Sequence, residues 1–382
     1  MKIALLGFGT VGRSVYELCK KQPSLCIKTV MDLRELPIPE KVTKDISEIT
    51  ADAEIQTVVE LIGGHSPAYE FISACLKAGK NVVTANKLVI SRHFGELNAL
   101  ARENGVSLLY SASCGGAIPW LPNLSIAATV EPIDEVRGIM NGTTNYMLGR
   151  MTDEGLSFDE CLSLAQKAGY AEADPSADID GLDILRKCVI SANTAFGGVL
   201  DETEVPVEGI RSLQSEDIAF FSEKGYRLKL IARAFRTEQS VCAYVEPTVL
   251  PTSDLFANIP LNYNYLTYRS ALCGIKGFYG EGAGGFPTAG AVIRDLLQIE
   301  SGAPALRPAT DNALKNDLSG AKHHYYVRTD SSEKVGNVLS ENGVWRVLLT
   351  EMAPDEMKAL AERIRQSGKT VFYAGFSDGV EL

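Results

Sequence analysis

With 382 residues, 45% hydrophobic and 22% charged, the chain has the make-up of a globular protein of two or three domains, not of a disordered one. A formal charge of −11 excludes a broad nucleic-acid footprint, which needs a basic patch. No apolar stretch reaches the length of a membrane span, and the N-terminal run Met1–Leu6 ends at a glycine loop, not in a signal-peptide layout. A cytoplasmic protein with no nucleic-acid or membrane partner is therefore expected. Cys19, Cys26, Cys75, Cys114, Cys161, Cys188, Cys242 and Cys273 form no Cys-x-x-Cys pair and read as small thiols in a reducing compartment. The four histidines show no metal-ligand spacing.

The chain opens as strand, glycine turn and helix: Lys2–Leu6, then Gly7-Phe8-Gly9-Thr10-Val11-Gly12, then helical spacing from Val11 to Lys20. Further strands are expected at Cys26–Met31, Thr57–Ile62, Asn81–Thr84 and Val106–Tyr110, with a helix at Pro67–Ala78. Short apolar strands alternating with helices predict an α/β fold with a parallel, doubly wound sheet. After about Thr129 the rhythm changes. Val136–Met140 reads as a strand, and Thr144–Met151, Phe158–Ala168 and Gly181–Phe196 read as helices. Tyr226–Ala234, Val241–Thr248 and Leu266–Gly274 resemble antiparallel strands of a second, α+β domain. Near Gly282 a glycine-rich segment opens a helix to about Glu300, and a proline-bearing stretch, Gly302–Pro308, leads to a tail. The tail spacing predicts strands at Tyr325–Arg328, Val344–Thr350 and Thr370–Phe376, with helices near Glu333–Ser340 and Pro354–Ser367. The expected division is a dinucleotide-binding domain over 1–130, completed by a returning helix at about 283–315. An α+β substrate and dimerisation domain follows over 131–282, and a small C-terminal βαβαβ module over 321–382.

In the first turn, Gly7 permits a tight bend, Gly9 lets the backbone approach a pyrophosphate, and Gly12 allows close helix–strand packing. The helix N-terminus then offers N–H groups to phosphate. Phe8, Thr10 and Val11 belong to the same cofactor loop. At the end of the second strand, Asp32 suits a ribose 2′-hydroxyl, as in NAD, whereas Arg34 suits the 2′-phosphate of NADP. The cofactor preference stays open.

Gly169-Tyr170-Ala171-Glu172-Ala173-Asp174-Pro175 leads into Asp178, Asp180, Gly181 and Asp183. The pattern imitates the start of a calcium loop, but its twelfth position is Lys187 where a bidentate glutamate is needed, which rejects calcium. Asp183 and Lys187 stand at i, i+4 and face the same way. They are either a solvated ion pair worth about 0.2–0.5 kcal/mol, or a proton donor beside a substrate ligand.

Over about residues 1–315 these blocks resemble homoserine dehydrogenases. The likeness rests on the glycine loop, Val83-Thr84-Ala85-Asn86-Lys87, the run Gly138–Tyr146, the acidic segment through Lys187, and Tyr279–Gly285 with Pro287-Thr288-Ala289. The resemblance implies NAD(P)-linked interconversion of L-homoserine and L-aspartate 4-semialdehyde, on the route to threonine and methionine. Carried over by position, Lys187 is the proton donor and acceptor, with Lys87 a catalytic lysine where cofactor and substrate meet. Glu172, Asp183, Tyr170 and Thr143 match substrate-binding positions. Gly169, Gly282 and Gly284 match cofactor contacts beside Gly7, Phe8, Gly9, Thr10, Val11, Gly12, Asp32 and Lys87. A homodimer is also implied.

Two departures stand out. The family's monovalent cation, Na+ or K+, is held by a glutamate with carbonyls matching Cys114, Gly116 and Ile118; here Ser111 replaces the glutamate, which puts that site in doubt. Many relatives end in a threonine-binding ACT domain. The tail here is one strand short and carries Asp330–Gly336 where the ligand-binding turn belongs, so a degenerate ACT-like tail with weak or absent threonine inhibition is expected. Alternatives are another Rossmann amino-acid oxidoreductase and a silent dinucleotide-binding paralogue. Asn86-Lys87-Leu88, in place of the Glu-Lys-Pro of sugar oxidoreductases, and the presence of Lys187, Asp183 and Glu172 argue against them.

Overall fold

Lys2–Leu6 sits in the middle of a six-stranded sheet ordered Lys41–Thr43, Cys26–Met31, Lys2–Leu6, Thr57–Glu60, Asn81–Thr84, Leu108–Leu109. Every neighbouring pair is parallel. In sequence numbering the order is 3-2-1-4-5-6, the arrangement of a dinucleotide-binding fold whose crevice opens beyond the carboxyl ends of the strands. The computed structural model describes residues 1–302 and 312–381. Most of the proline-bearing stretch at Gly302–Pro308, and part of the segment expected to return to 315, lie outside them.

Two compact units divide the chain. One comprises Met1–Ile133, Val189–Asp201 and Gly280–Leu314; the other comprises Asp134–Cys188, Glu202–Tyr279 and Lys315–Leu382. The core of the first unit joins Ile3, Leu5, Val30, Val59, Val83 and Leu109 of the sheet to Val15 and Tyr16 of the helix Thr10–Cys19. Ala289, Val292 and Leu296 of the helix Gly285–Glu300 complete it. Parallel strands covered on both faces need unbroken apolar runs, and Ala4, Leu5 and Leu6 are all fully buried.

The second unit is built on a nine-stranded sheet ordered Gly274–Glu281, Tyr263–Ser270, Glu135–Ile139, Tyr226–Arg236, Val241–Pro251, Val371–Phe376, His323–Thr329, Arg346–Met352, Asn337–Glu341. Tyr226–Arg236 and Val241–Pro251 pair antiparallel along their whole length, and Val371–Phe376 joins Val241–Pro251 in parallel. The tail strands thus extend the sheet of this unit.

The tail differs from the expected βαβαβ order. The helix expected near Glu333–Ser340 is instead the strand Asn337–Glu341, paired antiparallel with Arg346–Met352. Asn342-Gly343 turns the chain between them, with Asn342 Oδ1 accepting from the N–H groups of Val344 and Trp345. An Asn-Gly step between apolar runs is a strong hairpin signal, and Val338 favours a strand over a helix. The observed order is therefore three strands, a helix and a strand. The helix, Pro354–Gln366, packs Met357, Leu360, Ala361 and Ile364 against Tyr325, Val327 and Tyr373.

Besides Asn337–Glu341, four strands among the described residues went unseen in the sequence: Lys41–Thr43, Gly274–Glu281, and the paired two-residue strands Val199–Leu200 and Ala313–Leu314. Lys41–Thr43 has three residues, too few to show a period. Gly274–Glu281 is largely exposed and glycine-bearing. No helix among the described residues is long and apolar enough to cross a membrane.

Candidate active site

The glycine-loop candidates lie in the first unit. Gly7 has φ +92°, and a Cβ there would stand 2.9 Å from the carbonyl oxygen of Leu61. A Cβ on Gly12 would stand 2.2 Å from the carbonyl oxygen of Gly7, so the helix approaches its own entry loop only because position 12 is glycine. Around Gly9 no protein atom lies within 4 Å of the equivalent point. That glycine faces open space at the N-terminus of the helix Thr10–Cys19, which carries no acidic residue in its first turn. Absent side chains and unneutralised N–H groups are what a pyrophosphate requires.

Asp32 closes one side of this loop. Its carboxylate accepts the N–H of Phe8 at 2.9 Å and is forked by Arg34 through Nε and Nη2, both at 2.8 Å. Arg34 Nη2 also donates to the carbonyl of Phe8 at 3.0 Å. The guanidinium first, and then the N–H groups of Arg34 and Phe8, hold the Asp32 carboxyl well below the usual range. Asp32 is half-buried and ionised, and the Arg34 side chain is 54% exposed.

The second glycine segment meets the same unit. Gly284 precedes the helix Gly285–Glu300, and a Cβ on Gly285 would stand 2.9 Å from Ser14 Oγ of the loop helix. A Cβ on Gly116 would strike the backbone of Gly282 at 2.7 Å, so the block after Ser111 runs directly along this segment. Lys87, half-buried, is the first residue of the helix Lys87–Arg92. Asn86 caps that helix by accepting the N–H of Val89 and donates Nδ2 to the carbonyl of Gly64 at 2.8 Å.

At Ser111 the backbone N–H donates to Asp295 Oδ2 at 3.0 Å. Asp295 was not singled out in the sequence, where it is one acid on an apolar helix. Burial pushes its carboxyl up to about 7, against relief from Ser111. A folded-state pKa above the unfolded value near 3.8 means that folding retains a proton; stability is full below about pH 4 and falls as pH rises toward 7. Asp295→Asn is expected to remove this slope, so its melting temperature should gain on the parent more at pH 8 than at pH 5. Equal gaps at the two pH values would refute the assignment.

The acidic-segment candidates lie in the second unit. Lys187 and Asp183, on the helix Leu182–Phe196, form an ion pair of 2.7 Å and are only 7% and 5% exposed. The solvated alternative is thereby excluded. Lys187 Nζ also donates to the carbonyl of Met140 at 2.6 Å. Asn141 Nδ2 bridges Asp183 at 2.9 Å and Asp178 at 2.7 Å, while its Oδ1 caps the helix Gly142–Glu154. Burial, and then the Asp183 charge, raise the Asp178 carboxyl. Desolvating an ion pair is costly, so one held this deeply by an amide and a carbonyl is a constructed feature.

Thr143, Tyr170 and Gly169 belong to the same neighbourhood: Thr143 Oγ1 donates to the carbonyl of Tyr170 at 2.6 Å, fixing the turn that begins at Gly169. Tyr170 packs edge-on against Tyr146 with centroids 5.1 Å apart. Glu172 stands on that turn with an exposed side chain, and its carbonyl accepts from Gln166. The structure thus joins Lys187, Asp183, Asn141 and Asp178 directly, and leaves Glu172 at the rim. Asn141 and Asp178 were the missed members.

A homoserine dehydrogenase of Synechocystis sp. is 37% identical over 350 residues, covering 87% of this chain and 80% of its own. The chain belongs to the homoserine dehydrogenase family. Residues 119–297 match that family, and residues 7–111 match the homoserine dehydrogenase NAD-binding domain. The homoserine dehydrogenase of Lactococcus lactis is 33% identical, over 96% of this chain and 90% of that one. Among solved homoserine dehydrogenases, the one from Thiobacillus denitrificans aligns with a TM-score of 0.86 at 30% identity, covering 99% of this chain and 98% of that one.

Proposed function

We propose that the chain is an NAD(P)-dependent homoserine dehydrogenase, exchanging hydride between the nicotinamide ring and C4 of L-homoserine or L-aspartate 4-semialdehyde. The observation that carries the reading is the buried Asp183–Lys187 pair, clamped by Met140 and Asn141 in a chain of this family. Hydride arriving at an aldehyde carbon leaves negative charge on oxygen. A fixed ammonium beside that oxygen lowers the barrier and supplies the proton; in the reverse direction the neutral amine takes it back. Asp183 and Glu172 hold the polar groups of the amino-acid substrate, and Lys87 serves at the nicotinamide end. The dinucleotide rests on Gly7–Gly12, with Gly169, Gly282 and Gly284 as further contacts. Oxidation of homoserine, followed at the nicotinamide absorbance band, tests the proposal.

Arg34 favours NADP in this reading, since it puts an exposed guanidinium at the end of the second strand and already neutralises Asp32. Arg34→Ala removes that cation and leaves Asp32 open to a ribose hydroxyl. One charge-assisted hydrogen bond is worth about 1.5–3 kcal/mol, so affinity for NADP relative to NAD should fall roughly tenfold or more. An unchanged ratio of the two Kd values would place the phosphate elsewhere.

Na+ or K+ has no step in the proposal. The donor set does not fit a tightly held cation: position 111 has no carboxylate, the Ile118 carbonyl already accepts the N–H of Trp120, and Asp295 resists ionisation. The homodimer rests on the family resemblance, and the cytoplasmic setting on cysteines that form no Cys-x-x-Cys pair in the sequence. Threonine at submillimolar concentration is expected to leave the rate unchanged, because a hairpin replaces the first helix of an effector-binding tail. Saturable inhibition would contradict this.

A further inference from the structure

His65 and His93 are 28 residues apart in sequence, and the fold of the first unit brings their Nε2 atoms to 2.9 Å. Their ring centroids are 5.1 Å apart, so the rings meet almost end to end. His93 lies at the junction of the helices Lys87–Arg92 and Phe94–Glu103, and its Nδ1 faces Glu96 Oε2 at 3.0 Å. Glu96 is in turn held by the hydroxyl of Tyr69. The Tyr69 ring stacks on His93 at 4.0 Å and on His65 at 5.7 Å. Both imidazoles are thus oriented by neighbours, and both residues are half-buried.

We propose that His65 and His93 form a binding site for one Zn2+-class transition-metal ion, with water completing the coordination. The donors suit the ion, because imidazole nitrogen is the ligand that Zn2+, Cu2+ and Ni2+ share. The spacing suits it too. Zn–N bonds of about 2.0–2.1 Å at a tetrahedral angle put two nitrogens about 3.3 Å apart, so the pair must open by about 0.4 Å and each ring tilt by roughly 35° to turn its lone pair onto the ion. Glu96 on the far nitrogen of His93 makes the carboxylate–histidine–metal arrangement that fixes the tautomer and strengthens the ligand. With His93 Nδ1–H donated to Glu96, His65 Nε2–H is the donor between the rings; when the ion binds, that proton passes to His65 Nδ1 and both Nε2 lone pairs face the ion.

His65 follows Gly63 and Gly64 at the carboxyl end of the strand Thr57–Glu60, on the rim where a dinucleotide-binding sheet opens. A bound ion would tie that loop to the helix junction at His93. This site goes beyond the dehydrogenase reading and does not depend on it. Among the described residues no larger cluster of His, Cys, Asp or Glu is arranged for a metal, which leaves a site of two protein ligands.

Calorimetric titration of the full, tag-free chain with zinc chloride should show one saturable equivalent. His65→Ala and His93→Ala should each abolish it while leaving dinucleotide binding intact. Glu96→Gln should weaken it about 10–100-fold, the usual cost of losing an outer-shell partner. Absence of saturable binding would overturn the proposal, as would binding that persists unchanged in both histidine variants.

Discussion

Replacing Lys187 by alanine is expected to lower turnover by roughly 10²–10⁴ while leaving dinucleotide affinity nearly unchanged. The lysine ammonium is pinned between Asp183 Oδ2 at 2.7 Å and the Met140 carbonyl at 2.6 Å, so its position is set before any substrate arrives. Removing it withdraws the proton source at the developing alkoxide and leaves a buried carboxylate without its cation. The second effect costs stability, since orphaning one member of a buried pair is worth about 3–5 kcal/mol. Dinucleotide binding by the variant, measured by quenching of intrinsic fluorescence, separates the two effects. A variant that binds dinucleotide and turns over at near-native rate would show that another group is the acid.

The second large effect is expected in the glycine loop, where two substitutions should behave differently. Gly9→Ala adds a methyl group that meets no protein atom within 4 Å. It should fold with an unchanged melting temperature and lose dinucleotide affinity roughly tenfold or more, because the methyl occupies the approach of the pyrophosphate. Gly12→Ala places its methyl 2.2 Å from the Gly7 carbonyl oxygen, a clash with backbone that no rotamer relieves. Overpacking of this kind costs about 1–3 kcal/mol, so this variant should lose stability and affinity together. If Gly9→Ala binds NAD and NADP like the parent, the pyrophosphate does not lie on this loop.

The first unit was legible because its strands are buried on both faces. Ile3–Leu6 is a continuous apolar run, Val58 and Val59 centre the fully buried strand Thr57–Glu60, and the glycine loop falls between strand and helix. The acidic turn and the i, i+4 lysine were also readable as local spacing. What escaped depends on contacts far apart in the chain. Asn141 reaches Asp178 and Asp183 across 37 and 42 residues, and Ser111 meets Asp295 across 184. His65 and His93 meet across two helices, and spacing alone assigns them nothing. The strand Asn337–Glu341, expected as part of a helix near Glu333–Ser340, is exposed at every residue and so shows no buried alternation, although the Asn342-Gly343 turn beside it is local in the sequence.

The central claim is that this chain oxidises homoserine with a nicotinamide cofactor. Purified protein, L-homoserine and either NAD or NADP at alkaline pH, which draws off the released proton, give the most direct measurement. The structure predicts a rise at the reduced-nicotinamide band that depends on enzyme and homoserine and is lost in Lys187→Ala. A protein that binds dinucleotide, yet gives no signal with either cofactor in either direction, would contradict it.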